Sequence, residues 1–375
     1  MIFKEDFGTY QGKNATLYVL KNEFLEVGVT DFGAVLNKLV VNTKNGKVDI
    51  ICSNTSCEEY INADAHMGGC VGRVANRIAN ASFVLNGEKY TLDENIPNAT
   101  LHSGFNPYDY RFFNAEIVDD TLRLSLDSPD LDQGFPGNLQ FVVEFKLDKN
   151  ALIINFFGTS DKDTIFNPTN HAYFNLNGEG SGKVYDTLIQ INADKITLAD
   201  ENLVVTGETL DVENTPFDFK TPKTIAPSIF EKDRSLTDAL GFDQNFILNG
   251  EHVATCVGGK TGIQLDMYTD YPGVQFYCGN MLKNTKGKSV YNQHEAFCLE
   301  PQYFPNAINV ETFEKPILKA NQQVKHYIKY VITENHWFFY KNISFKFYIG
   351  EICFMIYIVI LAELAVAVKP RMTKL

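Results

Sequence analysis

Four short runs in this chain carry side chains that can move protons. In Asn170-His171-Ala172-Tyr173-Phe174-Asn175-Leu176, a histidine stands between turn-prone Pro168-Thr169-Asn170 and a strand-like segment, Ala172 to Leu176. A histidine at a rigid strand end can point into a cleft and exchange a proton near neutral pH. Asn76-Arg77, Leu101-His102-Ser103-Gly104 and Cys298-Leu299-Glu300-Pro301 add a guanidinium, a second imidazole and a carboxylate. Together they form an acid–base set suited to a sugar.

The elements that must position these groups read as β-structure. Short alternating or apolar runs recur at Leu17–Leu20, Leu25–Val29, Leu122–Leu126, Phe141–Leu147 and Leu152–Phe157. They are rich in Val, Ile, Phe, Tyr and Thr, which pack well on a pleated, half-buried surface. Asn45-Gly46, Asn86-Gly87, Asn249-Gly250 and Asp148-Lys149-Asn150 punctuate them as turns. Helical periodicity is confined to Cys57–Tyr60 and Ser228–Leu240. The expected fold class is all-β, a large antiparallel β-sandwich with few short helices. It occupies residues 1–332 as a catalytic domain, with an atypical hydrophobic tail over 333–375.

The motifs also fall in a recognisable order. Gly72-Arg73-Val74-Ala75-Asn76-Arg77-Ile78, Leu101-His102-Ser103-Gly104 and Gln133-Gly134-Phe135-Pro136-Gly137 precede the Asn170–Leu176 run. Thr206-Gly207-Glu208, Thr215-Pro216-Phe217-Asp218-Phe219, Gly241-Phe242-Asp243, Pro272–Tyr277 and Leu299-Glu300-Pro301-Gln302 follow it. Each motif is weak alone; the ordered series resembles the aldose 1-epimerase (galactose mutarotase) family from about Phe7 to Val331. The chain departs from the family pattern at Ser103, where the family has glycine, and at Phe135, where it has tyrosine. The resemblance implies a single galactose mutarotase-like supersandwich with its active cleft on one concave face. It implies an isomerase that interconverts the α and β anomers of free hexoses such as D-galactose and D-glucose.

That reaction opens a hemiacetal ring and closes it on the other face. It requires a base at the C1 hydroxyl and an acid at the ring oxygen, each typically contributing about 10²–10⁴-fold. It requires no cofactor, and no H-E-x-x-H motif or clustered His/Cys set suggests a metal. With the resemblance in view, Glu300 is the base. It ends the apolar run Ala296–Leu299, where partial desolvation raises a carboxyl pKa toward working pH; the alternative is an exposed loop carboxylate. His171 is the acid, against the alternative of a histidine bonded only to backbone. His102 orients the sugar or acts from behind the contact layer. Asp243 accepts from two hydroxyls, or else caps a turn. Arg77 offers a fork of donors and is preferred to Arg73, four residues earlier. Gln275, between apolar Val274 and Phe276, points to the opposite side from them, into the cleft. Asn76 and Tyr173 complete the substrate-binding candidates. Gly68-Gly69-Cys70-Val71-Gly72 lacks the spacing of a phosphate loop and reads as turn glycines.

Bulk properties narrow the alternatives. The 375 residues carry a net charge of −13, which excludes a nucleic-acid partner because phosphate backbones require Lys and Arg surfaces. Seven cysteines, an odd number without a C-x-x-C pair, point to reduced thiols rather than a disulfide framework. The early charges Lys4, Glu5 and Asp6 do not fit a signal peptide, so the expected location is cytoplasmic. Phe345–Val368 is strongly apolar, and a tail-anchored membrane form is a minority reading because Lys346, Glu351 and Glu363 interrupt it. Thr373-Lys374-Leu375 faintly matches a peroxisomal address. A non-catalytic carbohydrate-binding protein on the same scaffold is the alternative from another functional class. A phosphorylated-hexose epimerase would require an Arg or Lys cluster near the motifs.

Overall fold

In a computed structural model of the chain, the described residues are 1–334. Three larger antiparallel sheets carry the body. The first joins Ile2–Tyr10, Lys13–Lys21, Leu25–Thr30, Leu36–Thr43 and Gly46–Asp49 in chain order. The second has nine strands and is entirely antiparallel. The third has five strands and holds Asp243–Leu248, Gly273–Tyr277 and Cys298–Gln302 side by side. The expected all-β class stands, and the five alternating or apolar runs named from sequence each lie inside an observed strand, whereas of Ala172 to Leu176 only Tyr173–Phe174 is strand.

The hairpin signals divide into two kinds. Asn86-Gly87 joins paired strands directly, with Leu85 opposite Glu88. Lys149-Asn150 does the same between Asp148 and Ala151, with Lys149 at a positive φ of 53°. Asn249-Gly250 is a turn of another sort: it carries the chain from the third sheet into strand His252–Val257 of the second. The helical segment expected over Ser228–Leu240 is broken. A 3-10 turn at Ser228–Phe230 stops at Glu231, whose backbone is extended. A five-residue helix, Arg234–Asp238, then restarts because the Asp233 side chain accepts from the Ser235 N–H as its cap. The Cys57–Tyr60 segment is helical as expected and runs to Ala63, capped by Ser56.

The last strand, Gln323–Glu334, lies inside the nine-stranded sheet, between Ala151–Ser160 and Ile263–Thr269. Thr333 and Glu334 still pair there, with Gln264 and Ile263. The rest of the tail, including the candidate membrane span and the terminal tripeptide, lies outside the described residues. Among the described residues no helix is long and apolar enough to cross a membrane. Six cysteines there are buried and unpaired.

One large apolar core supports the site from behind. Phe246, Phe276, Val274 and Leu299 belong to it and face away from Asn245, Gln275 and Glu300 on the same strands. Period-two alternation therefore decides which side chains enter the cleft.

Candidate active site

The third sheet brings half of the site together by register alone. Asn245 lies opposite Gln275, and Gln275 opposite Glu300. The three polar side chains form one row across three strands. Asp243, two residues from Asn245 on the same face, accepts from the Gln275 amide at 2.7 Å. Gly273 makes room for this row, since a Cβ there would fall 2.7 Å from Asn245 Oδ1. Asn245 was not among the sequence-predicted residues. Its signal was weaker than that of Gln275, since polar Asp243 and Gln244 precede it and of its two neighbours only Phe246 is apolar.

The other half comes from loops. Arg77 begins a short strand paired with Leu101, next to His102. Asn76 and His102 sit at positive φ, 63° and 50°, and are bonded to each other twice. The Asn76 N–H donates to His102 Nδ1 at 3.1 Å, and the His102 N–H donates to the Asn76 carbonyl at 3.1 Å. The first bond leaves Nε2 as the protonated nitrogen of neutral His102. Ser103 binds Val74 in both directions, accepting from its N–H and donating to its carbonyl. The serine that departs from the family pattern thus fastens the His102 loop to the Arg77 segment.

Arg73 and Arg77 have different fates. Arg73 is buried, and its guanidinium donates to the Pro136 and Gly137 carbonyls, Ser128 and Thr164. Phe135 lies beneath it, with the guanidinium 5.7 Å from the ring centroid. Arg73 is therefore spent on holding the Gly134-Phe135-Pro136-Gly137 loop. Arg77 is half-buried, and its Nε has no protein partner among the described residues.

His171 enters from a two-residue ladder in which Thr169 and Asn170 pair with Val71 and Cys70. Its N–H donates to the Gly69 carbonyl and its carbonyl accepts from Gly68. Its Nε2 lies 3.6 Å from Glu300 Oε2. Both side chains are nearly inaccessible, 7% and 3% exposed. Tyr173 does not face the cleft freely: its ring stacks on His171 at 5.1 Å and its hydroxyl donates to the Ala65 carbonyl. It shapes the site by fixing the imidazole plane.

Burial controls the protonation of the pair. Desolvation pushes the Glu300 carboxyl well above the usual carboxylate range; Asp243 adds to the push and Arg77 opposes it. Burial, then the neighbouring His66, lowers His171 to about 3. His102 is lowered well below the ordinary histidine value by burial, His66, His171 and Arg77. The unliganded site thus favours a protonated Glu300 beside a neutral His171. Sequence alone suggested the reverse, an ionised glutamate and an imidazolium. Desolvation explains the difference: in a dry pocket two neutral groups cost less than an ion pair. The pair holds one proton in either case.

The mouth beyond Asn76, Asp243, Asn245 and Gln275 is walled by Thr197, Asp200, Leu203, Val205 and Asp238. Several buried polar atoms have no protein partner among the described residues: the side-chain oxygen and nitrogen of Asn245, Gln275 Oε1, Thr197 Oγ1 and His171 Nδ1. Such atoms are costly unless a polar ligand or water meets them. No group of His, Cys, Asp and Glu among the described residues is arranged to hold a metal ion.

Sequence reasoning missed His66. It forms a triangle with the two predicted histidines, its ring centroid 4.9 Å from His102 and 6.2 Å from His171. Its signal was its place just before the Gly68–Gly72 turn, which the ladder to Thr169-Asn170 folds onto His171.

The aldose 1-epimerase family model matches residues 16–331. Galactose mutarotase from Sus scrofa is 35% identical over 324 residues, 84% of this chain and 93% of that protein. Aldose 1-epimerase from Escherichia coli K12 is 35% identical over 316 residues, covering 81% and 91% respectively. A crystal structure of a GalM/aldose epimerase homologue from C. elegans superposes with a TM-score of 0.80 at 28% identity, covering 86% of this chain and all of that one. Galactose 1-epimerase from Lactobacillus acidophilus gives a TM-score of 0.80 at 27% identity, covering 90% and 99%.

Proposed function

The chain belongs to the aldose 1-epimerase family, an isomerase family, and from that premise we propose that it interconverts the anomers of free hexoses, D-galactose and D-glucose, by acid–base ring opening. One observation carries this reading: His171 and Glu300 meet at 3.6 Å, with Glu300 in register beside Gln275, which lines the cleft together with Asn76, Asp243 and Asn245.

Each group has a defined task. Glu300 takes the proton of the C1 hydroxyl, and His171 delivers a proton to the ring oxygen as the C1–O5 bond breaks. The aldehyde turns about C1–C2, and the roles reverse for closure. Arg77 and sugar hydroxyls near Glu300 favour its ionised form, which moves the shared proton toward His171 when substrate binds. Asp243, ordered by Gln275, accepts from hydroxyls, and the unpaired amide of Asn245 offers a donor and an acceptor beside it. His102, with its protonated Nε2, supplies a further donor. Asn76 holds His102 and lines the mouth.

The mouth favours an uncharged sugar over a phosphorylated one. Asp200 and Asp238 lie on its wall, and Arg234 there is already paired with Asp238 at 3.2 Å and Glu201 at 3.3 Å. Six buried, unpaired cysteines suit a reducing compartment such as the cytoplasm.

Polarimetry of freshly dissolved α-D-galactose and α-D-glucose tests the proposal, with wild type and Glu300→Gln compared. Faster decay of rotation with wild type alone is the expected outcome. A folded wild type that binds these sugars without accelerating the decay would leave a sugar-binding protein on the same scaffold.

A further inference from the structure

His66 belongs to a network that the acid–base scheme does not use. Asp109 is completely buried, and its Oδ2 lies 2.7 Å from His66 Nδ1 and accepts from the Tyr60 hydroxyl at 2.8 Å. The network is closely built: a Cβ at Gly69 would fall 2.1 Å from the Tyr60 hydroxyl and 2.6 Å from Asp109 Cβ. Tyr110 stacks on the His66 ring at 5.5 Å, and its hydroxyl donates to Asp64. His66 is 19% exposed, so the ring borders the cleft while Nδ1 is committed to Asp109.

We propose that His66, held as an imidazolium by buried Asp109, is a positioning residue whose positive charge prevents a second proton from entering the His171–Glu300 pair. The proposal rests on the reading of that pair as the acid and base. Its geometry is direct: the His66 ring lies 4.9 Å from the His102 ring and 6.2 Å from the His171 ring, and its counter-ion Asp109 belongs to the turn Tyr108–Tyr110.

The charges around it favour this state. Burial works against protonating His66, but the Asp109 charge and hydrogen bond, with help from Asp64, raise it above the ordinary value. Tyr60 and Tyr110 stay neutral, since burial raises both hydroxyls far from their usual range. On the opposite side stand His102, His171, Arg77 and Glu300. A cation within about 6 Å disfavours protonation of a neighbouring imidazole. His66 is accordingly the second cause, after burial, of the low values of His171 and of His102, while the Asp109 charge partly offsets it at His171.

The sign follows. A pair carrying one proton is competent; a second proton removes the base. With His66 charged, that second proton binds only at lower pH, so the acidic limb of the kcat/KM profile lies low. Removing the charge moves the limb upward by roughly one pH unit.

The test uses His66→Asn, because asparagine tolerates the positive φ of 53° at this position. Two readouts are followed: the pH profile of mutarotation and the ¹⁵N titration of the His171 ring in the unliganded protein. Upward movement of both, reversed by His66→Lys, is the expected result. A folded His66→Asn with both unchanged, or His66→Lys shifted as far as His66→Asn, overturns the proposal. If His66→Asn does not fold, the wild-type ¹⁵N spectrum decides: His66 must be doubly protonated at pH 6, and a neutral ring there overturns the idea. An enzyme inert in polarimetry would defeat the epimerase reading, whereas the His171 titration would still judge the electrostatic coupling on its own.

Discussion

The two walls of the cleft are built on different principles. On one wall, Asn245, Gln275 and Glu300 are aligned by strand register, Asn245 and Gln275 on inner strands and Glu300 on the edge strand of the sheet, backed by Phe246, Phe276 and Leu299. On the other, Asn76, His66 and His102 occupy left-handed backbone positions in loops, at φ of 63°, 53° and 50°. The sheet wall is held by strand pairing and by the core behind it. The loop wall depends on single buried side chains, Arg73, Ser103 and Asp109, that tie loops to one another. Chemistry is shared across the two walls, since the Glu300–His171 contact joins one to the other.

Substitutions can break this contrast. Glu300→Gln is isosteric on the rigid wall, so it should remove about 10²–10⁴-fold of turnover with sugar binding and thermal stability close to wild type; a large fall in Tm would show that the carboxyl also supports the sheet. Arg73→Met should do the opposite. It leaves several buried acceptors unmet and should cost about 3 kcal/mol in denaturant unfolding. Its activity loss at low temperature should track the unfolded fraction, and a stable but inactive Arg73→Met would place Arg73 in the chemistry. Asp243→Asn keeps the strand and weakens hydroxyl binding, with a loss of about 10–100-fold in kcat/KM expected from a charged hydrogen bond. Removing residues 335–375 should change neither kcat nor Tm measurably. A truncation that ends before Thr333 instead deletes paired backbone and should lower Tm.

The sequence made the sheet wall legible, and the reason is physical. Period-two alternation around Gln275 and the apolar run before Glu300 are local signals, and the strands obey them. The choice of Arg77 over Arg73 depended on the resemblance, because the burial of Arg73 is set by Ser128, Pro136 and Thr164, far along the chain. His66 had only its place before the Gly68–Gly72 turn to mark it, because its partner Asp109 lies 43 residues away, in a run with no pattern of its own. The resting protonation of Glu300 and His171 was not legible because the depth of burial is a property of the closed sandwich. The broken helix at Ser228–Leu240 turned on one capping aspartate, Asp233, whose side chain competes with helix continuation.

The central place of the final strand has a consequence for how the chain is made. Ala151–Ser160 and Ile263–Thr269 each expose an unpaired edge until Gln323–Glu334 inserts between them. A nascent chain released or stalled before that strand carries two open edges, each a template for pairing with another molecule. The closing contacts with Ala151–Ser160 join residues as far apart as Ala151 and Val331, so the loop-closure entropy falls due before the sheet is complete. Folding is therefore gated by the synthesis of Gln323–Glu334, and damage to that strand should appear first as aggregation of new chains and only later as lost activity.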